Sequence, residues 1–188
     1  MPYTLVRPHK PAQLRPVLFV PTLLGKILRD KLCVNKGFEK CPSELLREVE
    51  RVAQKGSFAQ GKGELNSCGA TRQGLQLLME KNVHQLLDLG LTSVRALHAM
   101  GIYPILLLVS INEKNAKKLK KALQRLGATE EQLLDCVRRE EAQLEQVPCL
   151  YGTIAPHTWS DTDVLVSSVR AAVADEQKKT VWIEQDLL

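Results

Sequence analysis

The residues with the clearest chemical potential stand early in the chain, in the stretch Arg15-Pro16-Val17-Leu18-Phe19-Val20-Pro21-Thr22-Leu23-Leu24-Gly25-Lys26-Ile27-Leu28. An apolar run, a sharp turn and a helix start follow one another there, in the order that places a phosphate loop in a nucleotide-binding α/β domain. Such a loop needs Gly-x-x-x-x-Gly-Lys-Ser/Thr: bare backbone to approach phosphate, a lysine for charge and a hydroxyl to hold magnesium. Gly25 and Lys26 fit. Val20 stands in place of the opening glycine, Ile27 in place of the hydroxyl residue, and Leu23 and Leu24 crowd the loop interior. The lost metal ligand matters most for phosphoryl transfer. The expectation is a degenerate loop remnant at Gly25 and Lys26, with no catalytic residue, no metal site and no cofactor.

Other candidates are fewer. Asp88 closes a second apolar run, where a kinase-like fold would hold water on magnesium; with Ile27 in the partner position, a hydrogen-bonded residue capping the next turn is the simpler expectation. His98 falls on a short helix and reads as a packed or half-exposed residue rather than a base. Cys33, Cys41, Cys68, Cys136 and Cys149 are odd in number and contain no Cys-x-x-Cys pair, which suggests free thiols in a reducing compartment. His9, His84, His98 and His157 share no ligand spacing with them.

The 188 residues are enough for one domain with a substantial core, and 44% hydrophobic with 25% charged residues is the balance of a folded chain. No apolar run approaches the ~20 residues of a membrane span. The start, Met1 to Pro8, lacks the regions of a signal peptide. The net charge of +5 draws attention to Lys114, Lys117, Lys118, Lys120 and Lys121. That cluster is either the solvated face of one helix or a docking surface for acidic lipid or an acidic partner. Aromatics amount to 4% and do not interleave with the basic residues, which argues against nucleic acid.

Stepwise periodicity supplies the elements that would position these groups. Strands are expected at Tyr3–Val6, Val17–Val20, Val83–Leu89, Pro104–Ser110, Pro148–Tyr151 and Thr180–Glu184. Helices are expected after an N-cap at Thr22, after Pro42-Ser43, over Leu75–Met79 and over Ser93–Met100. Three more should follow the cap pairs Ser110/Glu113, Thr129/Gln132 and Ser160/Asp163. The glycine-rich stretch Lys55–Gly69 reads as a mobile loop. The two end strands lack local partners, so they are expected to pair with each other. Alternation of strand and helix gives a parallel sheet with right-handed crossovers, an α/β fold.

The order of elements resembles a guanylate kinase-like domain, a parallel-sheet P-loop kinase-like fold with degenerate nucleotide and GMP sites. The segments Pro21–Gly25, Leu32–Phe38, Asn112–Lys121, Gln124–Gly127 and Asp175–Lys179 resemble the CARMA proteins, CARD-bearing membrane-associated guanylate kinase scaffolds. That resemblance implies a division into a strand or hook segment at 1–14 associated with a preceding Src-homology-3 domain, a guanylate kinase-like domain at 15–179, and a C-terminal strand and tail at 180–188. It implies a non-catalytic protein-interaction domain, contacts with the adjacent Src-homology-3 domain, and self-association. For the full-length protein it implies a CARD adaptor–paracaspase complex for NF-κB activation, in a cytoplasmic scaffold recruited to the plasma membrane by peripheral association. The alternative is a weak or vestigial GMP- or ATP-binding kinase domain. Active guanylate kinases hold the GMP phosphate with paired arginines and tyrosines between the loop and the second core strand. Here that segment holds Arg47, Arg51 and Arg72 and no tyrosine. Arg125, Arg138 and Arg139 in the lid region are either relics of phosphate contacts or plain surface charges.

Overall fold

A computed structural model describes residues 5–55, 62–147 and 149–184. Five strands form one parallel sheet: β2 (Val17–Val20), β3 (Phe38–Lys40), β4 (His84–Leu87), β5 (Ile105–Val109) and β6 (Tyr151–Ile154), in the spatial order β3-β4-β2-β5-β6. Side chains alternate across each strand with a period of two, so Val17 and Phe19 enter one core while Leu18 and Val20 enter the other. Ile105, Leu107 and Val109 join the first, Leu106 and Leu108 the second. Burial on both faces explains the unbroken apolar runs of β2 and β5.

Helices cover both faces. On the first lie α1 (Thr22–Leu32), α5 (Glu113–Lys118), α6 (Lys120–Arg125), α7 (Glu130–Leu144) and α8 (Thr162–Gln177). On the second lie α2 (Ser43–Lys55), α3 (Lys62–Met79) and α4 (Val94–Ala99). No helix among the described residues is long and apolar enough to cross a membrane. The parallel sheet flanked by helices is the α/β fold that alternation implied.

Several boundaries move for physical reasons. β3 has only three residues, too few to show a period, and so is not among the expected strands. Most of the supposed Lys55–Gly69 loop is helix, because α3 begins at Lys62; residues 56–61 lie outside the described set. The three glycines of α3 would weaken an isolated helix, which is why local pattern did not show it. At Gly74 an added Cβ would stand 2.8 Å from Leu45 Cδ2, so that glycine permits close contact between α2 and α3. The α5 cap is Asn112, not Ser110: Asn112 and Asn115 accept each other's backbone N–H groups at 3.0 and 3.2 Å. Asp161, not Ser160, caps α8 by accepting from Val164 N–H at 2.8 Å. Thr129 and Gln132 form the expected capping box. β6 starts at Tyr151, later than expected, and Pro148 lies outside the described residues.

The chain's two ends do pair. β1 (Val6–His9) runs antiparallel to β7 (Val181–Glu184) in a separate two-stranded ribbon, with Pro8 opposite Trp182. Tyr3 and Thr4 lie outside the described residues, and the strand extends through Arg7-Pro8 rather than stopping there. Proline has no N–H to donate, and a ribbon accepts it where that N–H would point away from the partner. Arg15 ties the start of the sheet to its surroundings. Its guanidinium donates to the carbonyls of Tyr103 at 2.8 Å, Pro104 at 2.9 Å and Glu176 at 3.2 Å. Burial draws its pKa below the ordinary arginine value.

Candidate functional site

In a phosphate loop the chain leaves its strand and turns free N–H groups toward the anion before the helix begins. Here a single residue, Pro21, separates β2 from α1. Gly25 lies inside the helix, and its N–H donates to Pro21 C=O at 3.1 Å, so it is consumed by helical bonding. An added Cβ at Gly25 would stand 3.2 Å from Phe19 Cβ. This glycine therefore lets α1 lie close against β2. Lys26 points to solvent, whereas Val20 and Ile27 are buried on opposite sides of the sheet, 0% and 5% exposed.

The N-terminus of α1 carries unpaired N–H groups and the positive end of the helix dipole, which together attract an anion. The chain supplies that anion itself. Thr22 N–H, expected as part of an N-cap residue but in fact the first residue of the helix, donates to Glu140 Oε2 of α7 at 2.8 Å. Cys136 Sγ donates to the same oxygen at 2.9 Å, and its sulfur stands 3.9 Å from Thr22 Oγ1. Glu140 is 8% exposed. Burial, then the hydrogen bond to Glu140, raises the Cys136 pKa, which keeps the thiol protonated and a donor.

Glu140 reaches this place because of helical spacing. The buried positions of α7 are Leu133, Cys136, Val137, Glu140 and Leu144, one stripe of a 3.6-residue period. A carboxylate in an otherwise apolar stripe is costly without a partner. That single acid at a core position was the available signal for the site, and motif matching around Gly25 passes over it.

Asp88 lies just beyond β4, 3.1 Å from Arg29 Nη2. Arg29 is one turn past Gly25 on α1, and its side chain is largely buried. Desolvation lowers the pKa of Arg29, and the neighbouring Asp88 opposes that shift. The cation facing the acid is thus a guanidinium from the chain itself. Among the described residues no group of His, Cys, Asp or Glu is arranged to hold a metal ion.

The remaining candidates scatter. Arg51 pairs with Glu48 and Arg138 with Asp135, each within one helix, while Arg47, Arg125 and Arg139 are exposed. His98 is 2% exposed with neither ring nitrogen hydrogen-bonded, packed edge-on to Tyr103 at 5.2 Å between centroids. Burial pushes its pKa down to about 4. Cys33, Cys41, Cys136 and Cys149 are free; the Cys68 side chain lies outside the described set.

The chain is 57% identical to human caspase recruitment domain-containing protein 14 across 98% of its length, and 52% identical to the mouse protein across 97%. It is a guanylate kinase-like domain of the CARMA family. It spans 19% of the length of each of these relatives. Human disks large homolog 5 matches more distantly, at 29% identity over 90% of the chain and 9% of that protein. No family model matches. Among solved structures, the SH3-kinase fragment of tight junction protein 3 covers 98% of the chain, which in turn spans 66% of that fragment, with a TM-score of 0.65 and 17% identity. That likeness agrees with a guanylate kinase-like fold. In this CARMA-family domain, the groups that would otherwise attract phosphate and a cation are engaged by Glu140 and Arg29.

Proposed function

We propose that this domain is non-catalytic and serves protein interaction within a signalling scaffold. The observation that carries the reading is the Thr22 N–H to Glu140 hydrogen bond: the anion site at the start of α1 is filled by a buried carboxylate of the same chain. Buried Val20 and Ile27, where the template asks for a glycine and a hydroxyl, support it, as does the Arg29–Asp88 pair. A nucleotide would have to displace a partnered carboxylate and restore a metal ligand.

On this reading residues 15–179 are the guanylate kinase-like domain, and segments 1–14 and 180–188 belong to a unit with a preceding Src-homology-3 domain. The β1–β7 ribbon supports the division. A two-stranded ribbon is marginal alone, and this one leaves Trp182 44% exposed on its outer side while burying Val181 and Ile183. The full-length scaffold would assemble a CARD adaptor–paracaspase complex for NF-κB activation, with recruitment from the cytoplasm to the plasma membrane and self-association.

The test is thermal unfolding with and without millimolar GMP, ATP and magnesium. A native-state ligand at a hundredfold excess over its dissociation constant adds ~2.7 kcal/mol. The expected midpoint is unchanged. A magnesium-dependent rise would return the domain to the nucleotide binders.

A further inference from the structure

A second set of charges lies on α5 and α6. Lys114, Lys117, Lys118, Lys121 and Arg125 follow the spacing i, i+3, i+4, i+7 and i+11, which is one face of a helix. Helical hydrogen bonding persists on both sides of the junction, from Leu119 N–H to Ala116 C=O and from Leu123 N–H to Leu119 C=O. The buried residues Asn115, Ala116, Leu119 and Leu123 take the opposite face. All five cations are exposed, and none has an ion-pair partner among the described residues. Elsewhere the chain does place acids beside its cations, as in Lys40–Asp30, Lys81–Glu39 and Lys179–Glu176. Like charges at i, i+3 and i+4 repel and weaken a helix. A face that keeps them all is set up to meet negative charge from outside.

We infer that this stripe docks an acidic helical segment of a protein partner, with carboxylates on one face. The shape of the charge favours such a rod over a bilayer. The cations run in single file, and beyond Lys120 and Gln124 the first turn of α7 brings Glu130 and Glu131 to the rim of a shared 360 Å³ groove. On the other flank Lys118 Nζ sits 6.0 Å from the centroid of the buried Trp159 ring. Bordering carboxylates repel a broad anionic surface and leave a narrow one room. Four of the five cations are lysines, compact point charges without the planar fork that reads phosphate. The inference is independent of the closed nucleotide face; a nucleotide response would overturn that reading and leave this one standing.

The experiment uses two labelled helical peptides of one composition, one with glutamates confined to a single face and one with them spread around the helix. Fluorescence anisotropy at low salt measures binding to the domain and to Lys117→Glu/Lys121→Glu and Lys117→Gln/Lys121→Gln variants. The one-faced peptide is expected to bind about tenfold tighter than the spread peptide, a difference of about 1.4 kcal/mol. Binding should weaken as salt rises, fall in the glutamine variant and vanish in the glutamate variant. The inference is overturned if the two peptides bind alike, if neither binds, or if phosphatidylserine vesicles or duplex RNA are preferred to the one-faced peptide.

Discussion

Two stripes with the same spacing have opposite fates in this domain. In α7, Leu133, Cys136, Val137, Glu140 and Leu144 face inward; in α5–α6, Lys114, Lys117, Lys118, Lys121 and Arg125 face outward. The inward stripe carries one charge and gives it two donors, Thr22 N–H and Cys136 Sγ. The outward stripe carries five charges, and none of them forms an ion pair among the described residues. The difference follows from solvent. A buried carboxylate needs fixed donors because water is gone, whereas exposed ammonium groups remain hydrated and can be left open. The face that resembles a nucleotide site has its charges answered from within, and the face with open charge lies elsewhere.

The largest effect should come from forcing the template back onto the closed face. Ile27→Ser opens the first core, and truncating a buried isoleucine costs about 2–5 kcal/mol. Denaturant unfolding should show that loss, with no magnesium-dependent recovery on adding ATP or GMP. Recovery would mean that only the hydroxyl was missing.

Next comes charge introduced where the interior offers no partner. His98 is buried with a pKa of about 4, against an ordinary value of 6.5. Above pH 6.5 it is neutral folded or unfolded. As pH falls from 6.5 to about 4 the unfolded chain gains the proton and the folded chain does not, so stability drops across that window, by roughly 3 kcal/mol in total. Burial is the main cause, with Arg15 and Arg95 adding repulsion. His98→Phe should flatten that part of the pH–stability curve; an unchanged slope would place the titration on another group.

Removing the internal anion should cost somewhat less. Glu140→Ala leaves the Thr22 N–H and the Cys136 thiol without their shared acceptor, a loss of about 1–3 kcal/mol. Glu140→Gln keeps an acceptor and should fall between alanine and the native residue. Equal stability of all three, read by chemical denaturation, would erase the contrast between the two stripes.

The smallest effect should have the opposite sign. Replacing Lys117 and Lys121 with glutamine relieves like-charge repulsion and should raise stability by about 0.2–0.5 kcal/mol per pair at low salt, fading as salt increases. A destabilised variant would show that these side chains already have work within the fold.

Much of the architecture was legible from local pattern. The apolar runs of β2 and β5, the Thr129/Gln132 cap and the stop at Gly127, with φ of +71°, each rest on neighbours in sequence. The caps at Asn112 and Asp161 were misplaced by one or two residues because several short polar side chains compete at each helix start. β3 and the first turns of α3 were missed because a three-residue edge strand offers no period to read and glycines weaken the local helical signal.

The sequence by itself determined the alternation of strand and helix, the two departures from the phosphate-loop template at Val20 and Ile27, and the spacing of the lysine face. These are properties of residue type and period, readable wherever the chain goes. Only the tertiary structure decided that Glu140 meets Thr22, 118 positions away, and that Arg29 answers Asp88. It alone brought the two ends into one ribbon. Contacts between distant residues depend on how the helices settle on the sheet, and no local preference of Thr22 or Glu140 encodes the other.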